Sequence, residues 1–315
     1  MQKFNEYMKN KLVFSYEISR ACNLRCTYCY ALNFLDNTKT HDPIIADLVI
    51  QKLTEFKQEN PHIELELDLL GGDPLMAPNL IEFVTELSKI DIVIWVVTNL
   101  TIKNKKRIDE VGQLLKLPNV GIAATWHDNI DDEIFKNNIL YLKKYIKDTD
   151  FGIKEKWVKS NFSVSFVLFN ENPNMMKKVK WLQENNIYFG LTHLYNNQER
   201  AQSYLNFNDE TKFVFHNSLK DDYRYYLDNT QLTPQEFEEL ELYKIPEKYR
   251  TVCEPLNFNI SYFGDITLSC QMKNKERHRY HIKDGIKHLR TFCNGGDCYC
   301  SSIGYKELHG RKNDN

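Results

Sequence analysis

Short apolar runs typical of β-strands alternate with amphipathic stretches typical of α-helices between residues 12 and 194. The predicted strands are residues 12–18, 63–70, 92–97, 120–125, 163–169 and 187–194. The predicted helices are residues 44–56, 80–87, 105–115, 132–147 and 174–184. Asp42 followed by Pro43 is a typical start for the first helix. Repeated βα units predict an α/β fold built on a parallel sheet, a partial (β/α)6 TIM-like barrel.

The pattern changes after the sixth predicted strand. Residues 205–248 are acidic, rich in tyrosine and helical in pattern, whereas residues 258–262 and 266–269 predict a β-hairpin whose turn contains Gly264. The last stretch, residues 293–300, is rich in glycine and cysteine. We therefore expect a barrel over residues 1–204, a helical connector over 205–249 and a small cysteine-rich α+β domain over 250–315.

Charge and hydropathy limit the partners and the compartment. The formal net charge is −2, so no general basic field exists and nucleic-acid binding is not expected. The longest apolar run, residues 92–97, is too short for a membrane span, and no secretory signal precedes the first strand. The expected location is the cytoplasm, where eight cysteines point to metal binding or catalysis rather than to disulfides.

Three cysteines follow the first predicted strand in a C-x3-C-x2-C pattern, Cys22, Cys26 and Cys29. Thiolates are the usual ligands of iron–sulfur clusters, and three of them would leave one iron of a four-iron cluster open. The alternatives are a helix face of small core residues, a structural zinc with His41 as fourth ligand, and a redox C-x2-C pair. Polar residues between the cysteines, directly after a strand, favour the cluster.

This loop, with Tyr28 just before its last cysteine, resembles the signature of the radical S-adenosylmethionine (SAM) superfamily, and the resemblance covers about residues 12–195. It implies that Cys22, Cys26 and Cys29 ligate a 4Fe-4S cluster whose open iron chelates SAM. An external one-electron reductant of the flavodoxin or ferredoxin type would drive cleavage to methionine and a 5′-deoxyadenosyl radical, which abstracts hydrogen from the substrate.

Further residues match positions that contact SAM in this superfamily. Residues 71–74, Gly-Gly-Asp-Pro, are similar to its Gly-Gly-Glu-Pro motif, which contacts the SAM ammonium, with aspartate in place of the commoner glutamate. Glycines allow a close backbone approach to a ligand. His127 follows the fourth predicted strand and is either a structural histidine, which is the commoner role at a strand end, or a residue that faces the same cavity. The SAM-contacting residues that the resemblance implies are Tyr28, Gly71, Gly72, Asp73, Thr125 and Asn172.

Five cysteines remain in the C-terminal part of the chain, and two of them flank the predicted hairpin. Their arrangement resembles the SPASM and twitch extensions of the superfamily, and the single-cluster twitch type is the better match. The resemblance implies an auxiliary 4Fe-4S cluster, with the choice of four ligands left open, and a four-cysteine zinc site is the alternative. The five cysteines are Cys253, Cys270, Cys293, Cys298 and Cys300.

The leading hypothesis is a radical SAM enzyme that functionalises a C–H bond, of oxidoreductase type, with an auxiliary cluster that aids oxidation or substrate binding. Only 21 residues precede Cys22, so no fused peptide-binding module is expected, and the substrate is a peptide recognised elsewhere or a small molecule. The alternatives are radical modification of a nucleotide or nucleic acid, and a non-catalytic metal-binding structural or sensor protein.

Overall fold

The computed structural model describes residues 11–29, 31–151, 158–168, 174–193, 225–227, 230–232, 244–245, 251–253, 257–268, 279–286, 291–293 and 296–297. The helices are α1 (Pro43–Glu59), α2 (Leu80–Leu87), α3 (Lys105–Leu114), α4 (Asp132–Leu142) and α5 (Met175–Glu184). The first eight strands are β1 (Lys11–Ser19), β2 (Glu64–Gly71), β3 (Ile92–Thr98), β4 (Val120–Thr125), β5 (Asp148–Phe151), β6 (Val158–Ser160), β7 (Phe162–Leu168) and β8 (Phe189–His193). The later strands are β9 (Tyr225–Leu227), β10 (Thr230–Leu232), β11 (Lys244–Ile245), β12 (Thr251–Cys253), β13 (Asn257–Ile260), β14 (Asp265–Leu268), β15 (Tyr280–His281), β16 (Thr291–Cys293) and β17 (Gly296–Asp297).

One nine-stranded sheet organises the molecule, in the order β15-β14-β13-β1-β2-β3-β4-β7-β8. From β1 to β8 all neighbours in this sheet are parallel, and α1 to α5 supply crossovers between them. The predicted α/β class with six parallel barrel strands is therefore confirmed. Since parallel strands place their carboxyl ends on one edge, the loops after β1, β2, β3 and β4 meet there.

Local sequence accounts for the helix starts and for burial of the sheet. The Asp42 carboxylate accepts hydrogen bonds from the backbone N–H groups of Ile44 and Ile45, which confirms the predicted cap of α1. The central strands β3 and β4 are fully buried on one face, which the helices cover, and buried to half-buried on the other. Within the described part of the chain, no helix has the length and apolar character needed to cross a bilayer.

The structure differs from the sequence predictions in three places. The helix predicted over residues 132–147 ends at Leu142, and a 3-10 turn then leads into the hairpin β5–β6, which the sequence did not indicate. Within the predicted helical connector, the described residues form the short strands β9, β10 and β11, and the rest lies outside the described residues. The predicted C-terminal hairpin is present as β13 and β14, but it joins the barrel sheet instead of forming a separate unit, because β13 pairs in parallel with β1.

Candidate functional site

The cysteine loop, residues 20–29, begins at the carboxyl end of β1 and is not helical. Its cysteines therefore do not form one face of a helix. Cys22 and Cys26 are buried, Cys29 is half-buried, and all three thiols are free. The backbone N–H of Cys29 donates to the carbonyl of Cys26 at 3.0 Å, so the loop turns back between these residues. Among the described residues, no group of three or more His, Cys, Asp or Glu side chains is arranged to hold a single metal ion.

The glycine loop after β2 holds the start of the cysteine loop by direct backbone contact. The N–H of Gly72 donates to the carbonyl of Ser19, and the N–H of Asp73 donates to the carbonyl of Ala21, each at 2.8 Å. A Cβ on Gly71, whose φ is +129°, would lie 1.9 Å from the Ser19 oxygen, and a Cβ on Gly72 would lie 2.2 Å from the Ala21 oxygen. The close approach that requires these glycines is therefore to the end of β1 and to the residues that lead into the cysteine loop.

The Asp73 carboxylate joins the ends of β2 and β3. It is buried, and its oxygens accept from the backbone N–H groups of Leu75 at 2.8 Å and Asn99 at 2.9 Å. The Thr98 hydroxyl donates to both oxygens, at 3.0 and 2.9 Å. Burial raises the pKa of Asp73 above its ordinary value, against the opposing effect of these donors. The side chain that the resemblance assigns to the SAM ammonium is thus engaged by protein donors.

Two polar groups surround the sulfur of Cys22. The backbone N–H of Leu24 donates to Cys22 Sγ at 3.4 Å, and Nδ2 of Asn99 lies 3.9 Å from the same atom. Asn99 is itself fixed, because its Nδ2 donates to Asn23 Oδ1 at 2.8 Å and its Oδ1 accepts from the N–H of Thr101 at 3.0 Å. Position after a strand was the only sequence signal for Asn99, and its contact with the cysteine loop spans 77 residues of chain.

The loop after β4 contacts the cysteine loop from the other side. The Tyr28 hydroxyl and His127 Nδ1 are 2.8 Å apart, and the Cys26 thiol donates to Asn129 Oδ1 at 3.2 Å. Burial raises the pKa of Tyr28, so its hydroxyl keeps its proton. Burial, with help from the Lys178 cation, lowers the pKa of His127 to about 4. A neutral imidazole has one nitrogen without hydrogen, and in the tautomer where this is Nδ1 it accepts a hydrogen bond from the Tyr28 hydroxyl.

Lys178, on helix α5, binds the loop after β4. Its ammonium is buried and donates to Asp128 Oδ1 at 3.1 Å and to the carbonyl of His127 at 3.3 Å. The same Nζ lies 5.4 Å from the ring centre of Trp126. The loop that carries His127 and Asn129 is therefore held by an ion pair between the buried Lys178 and the half-buried Asp128, which the sequence did not indicate.

Some of the remaining predicted residues lie in the described part of the chain and others lie outside it. Thr125 lies at the end of β4, with its hydroxyl 3.1 Å from the Ser165 hydroxyl on β7. The backbones of Cys253 and Cys293 lie on the paired strands β12 and β16, where Cys253 faces Thr291 and Cys293 faces Thr251. The predicted residues outside the described part of the chain are Asn172, Cys270, Cys298 and Cys300.

A family model described as the radical SAM superfamily matches residues 16–179, which is more than half of the chain and includes the cysteine and glycine loops. The chain belongs to the radical SAM superfamily. Membership implies a 4Fe-4S cluster and SAM as cofactors, in agreement with the sequence prediction.

Two curated relatives share part of the chain. An uncharacterized protein of Methanocaldococcus jannaschii is 28% identical over 178 residues, covering 53% of this chain and 56% of the relative. A GTP 3′,8-cyclase of Staphylococcus epidermidis is 27% identical over 173 residues, covering 50% of each chain. This chain therefore spans about half the length of the curated relatives it matches.

Solved structures agree on the fold. SuiB of Streptococcus suis bound to S-adenosylmethionine gives a TM-score of 0.53 at 15% identity, covering 90% of this chain and 66% of SuiB. SuiB bound to its precursor peptide SuiA gives a TM-score of 0.50 at 14% identity, covering 94% of this chain and 66% of SuiB. At these identities the likeness shows the fold alone, that of a radical SAM partial barrel.

Proposed function

We propose that this chain is an enzyme that reductively cleaves SAM at the cysteine loop and abstracts hydrogen from a peptide or small-molecule substrate. The observation that carries the proposal is the position of Cys22, Cys26 and Cys29, three free thiols on one loop at the carboxyl end of β1. This is the edge of a parallel barrel on which active-site groups lie.

The donor set fits a 4Fe-4S cluster held by three protein thiolates. Burial raises the pKa of Cys22, and raises that of Cys26 to about 11, so free thiolates are disfavoured in the protein without metal. Iron binds the thiolate form, so metal binding and thiol deprotonation occur together. The cluster held by these cysteines would supply one-electron reducing chemistry for cleavage of the C–S bond of SAM, with an external flavodoxin or ferredoxin as the electron source.

The surrounding residues bind and orient SAM. Tyr28, whose hydroxyl lies 2.8 Å from His127 Nδ1, would lie near the adenine, and Thr125 would lie near the ribose. The resemblance also implies a polar contact for Asn172, which is outside the described residues. The glycine loop presents Gly71, Gly72 and Asp73 to the ammonium group. Because the Asp73 side chain already accepts three protein donors, this contact uses the backbone of the loop.

Four of the five C-terminal cysteines would hold an auxiliary 4Fe-4S cluster that accepts an electron or binds substrate. The antiparallel pairing that places the backbones of Cys253 and Cys293 on neighbouring strands supports a common site for these two. Cys270, Cys298 and Cys300 supply the remaining candidate ligands.

The test is formation of 5′-deoxyadenosine after anaerobic reconstitution with iron and sulfide, with dithionite as reductant. Wild type should form it, and Cys26→Ala should not, because one of three ligands is lost. Cys270→Ala is the matched control, which should still form 5′-deoxyadenosine but no modified substrate. Retained cleavage by Cys26→Ala would contradict the assignment of the first cluster, and loss of cleavage in folded Cys270→Ala would contradict the division of roles.

Metal analysis tests the auxiliary cluster separately. Two four-iron clusters give about eight iron and eight sulfide per chain. If zinc is found in place of half of the iron, the C-terminal cysteines bind zinc and not an auxiliary cluster, and the assignment of the SAM site is unaffected.

A second candidate is radical modification of a nucleotide. It is favoured by the similarity to GTP 3′,8-cyclases, which reaches 31% identity over 74 residues, or 24% of this chain, for the enzyme of Limosilactobacillus fermentum. The fold shared with SuiB, which was solved with a precursor peptide, motivates a peptide as the first substrate class to test. Supplying GTP and peptides separately to the reconstituted enzyme, and measuring substrate-dependent 5′-deoxyadenosine, distinguishes the two.

A further inference from the structure

We propose that the side-chain amides of Asn99 and Asn129 set the reduction potential of the cluster by donating N–H hydrogen bonds to the sulfurs of Cys22 and Cys26. The inference rests on the proposed function, because it requires the cluster to be held by the loop cysteines. It concerns two residues that lie on different loops, after β3 and after β4, on either side of the cysteine loop.

Asn99 is preorganised as a donor. Its Oδ1 accepts from the N–H of Thr101 at 3.0 Å, which fixes the orientation of the carboxamide and leaves Nδ2 directed to the cysteine loop. That nitrogen donates to Asn23 Oδ1 at 2.8 Å and lies 3.9 Å from Cys22 Sγ. Asn99 is only 5% exposed, so little water screens this contact.

Asn129 becomes a donor when Cys26, whose sulfur it contacts, loses the thiol proton on binding metal. Without metal, the Cys26 thiol donates to Asn129 Oδ1 at 3.2 Å. A metal-bound thiolate has no proton to donate and can only accept. A half-turn of the carboxamide places Nδ2 where Oδ1 was, and the two ends have nearly the same size. Asn129 is exposed, so this rotation needs no repacking.

The two amides act on the electron that the cluster gains. Reduction adds one negative charge, and the positive end of an N–H dipole next to a ligating sulfur stabilises that charge. The amides therefore favour the reduced state and raise the potential. We expect loss of one amide to lower the equilibrium constant for one-electron reduction of the cluster roughly tenfold. This corresponds to a reduction potential that is about 59 mV lower.

The test measures the midpoint potential of the first cluster in the reconstituted full chain, by redox titration followed by electron paramagnetic resonance without SAM. Asn129→Leu should lower the potential, and Asn129→Gln, which keeps an N–H donor, should restore most of it. Asn99→Leu should lower it as well. Asn138→Leu is the matched control, since the Asn138 amide donates to the carbonyls of Leu100 and Ile102, at 2.9 Å each.

Asn129→Leu is the decisive variant, because Asn129 is exposed and its replacement should leave the protein folded. A potential equal to that of wild type in this variant, with full iron content, would overturn the inference. An equal shift in Asn138→Leu would overturn it too, since the effect would then come from loop structure. Failure of wild type to form a cluster at Cys22, Cys26 and Cys29 is a different result, because it refutes the proposed function itself.

Discussion

Gly72→Ala should loosen the cysteine loop, because the glycine loop and the cysteine loop share a backbone contact. The new Cβ would lie 2.2 Å from the Ala21 oxygen and 2.6 Å from its carbonyl carbon. Both neighbours are backbone atoms, so relief requires the two loops to separate by about 1 Å, at an overpacking cost of about 1–3 kcal/mol. Separation also breaks the hydrogen bond from Asp73 N–H to Ala21, which adds about 1 kcal/mol.

The total is about 3 kcal/mol, which urea unfolding of the metal-free protein under anaerobic conditions can measure. With a slope of about 3 kcal/mol per molar urea, the midpoint should fall by about 1 M. Iron bound after reconstitution should fall as well, because the displaced residue directly precedes Cys22. Gly190→Ala is the matched control, since a Cβ there meets no atom within 4 Å. A wild-type midpoint together with full iron content in Gly72→Ala would refute the argument.

Three further predictions concern the groups around the loop. Asp73→Asn replaces one of the two carboxylate oxygens by an NH2 group, which then stands opposite the N–H of either Leu75 or Asn99. This should lower the free energy of unfolding by about 2–3 kcal/mol in the same urea assay. The pKa of His127 is about 4 in the folded protein and near 6.5 in the unfolded chain. Between these values the unfolded chain binds one more proton than the folded protein, so the free energy of unfolding decreases as the pH falls from 6.5 towards 4. The expected decrease is about 2 kcal/mol between pH 7 and 5. His127→Phe should remove that part of the pH dependence, and an unchanged slope would contradict the burial argument. His127→Phe should also weaken SAM binding without abolishing 5′-deoxyadenosine formation, since it removes the His127 contact of the Tyr28 hydroxyl but leaves the thiols in place. A shift in the SAM concentration for half-maximal rate would show this.

The barrel could be predicted because its signals are local. Helix α2 and strand β4 begin and end where the hydrophobic pattern placed them, and α1 starts at the predicted cap. The end of α4 was wrong because apolar residues continue at helical spacing through Tyr145 and Ile146, while the strand that follows, β5, has the largely polar sequence DTDF. A periodic pattern shows which residues face the core, but not where the hydrogen bonding changes.

The site was predictable only as far as its residues are close in sequence. The spacing of the three cysteines identified the loop, and the glycine motif was recognised beside it. The reason for the glycines was not predictable, because the atoms that they approach belong to Ser19 and Ala21, some 50 residues earlier. His127 was singled out by its place after β4, but its partner Tyr28 lies 99 residues away, and only the folded sheet brings the two loops together.

The pairing of β13 with β1 determines how the C-terminal part can be tested. Four residues of β13, from Asn257 to Ile260, are in register with β1, and the N–H of Tyr262 donates to Glu17 at 3.3 Å. The Arg20 guanidinium lies 4.6 Å from the ring centre of Phe263, so the hairpin also contacts the residue that leads into the cysteine loop. Removing the hairpin would expose the edge of β1 and disturb the first cluster whatever the auxiliary cysteines do. Loss of SAM cleavage in a truncated chain would therefore say nothing about the proposed auxiliary cluster. Single cysteine substitutions that leave the hairpin in place are the variants that can separate the two proposed roles.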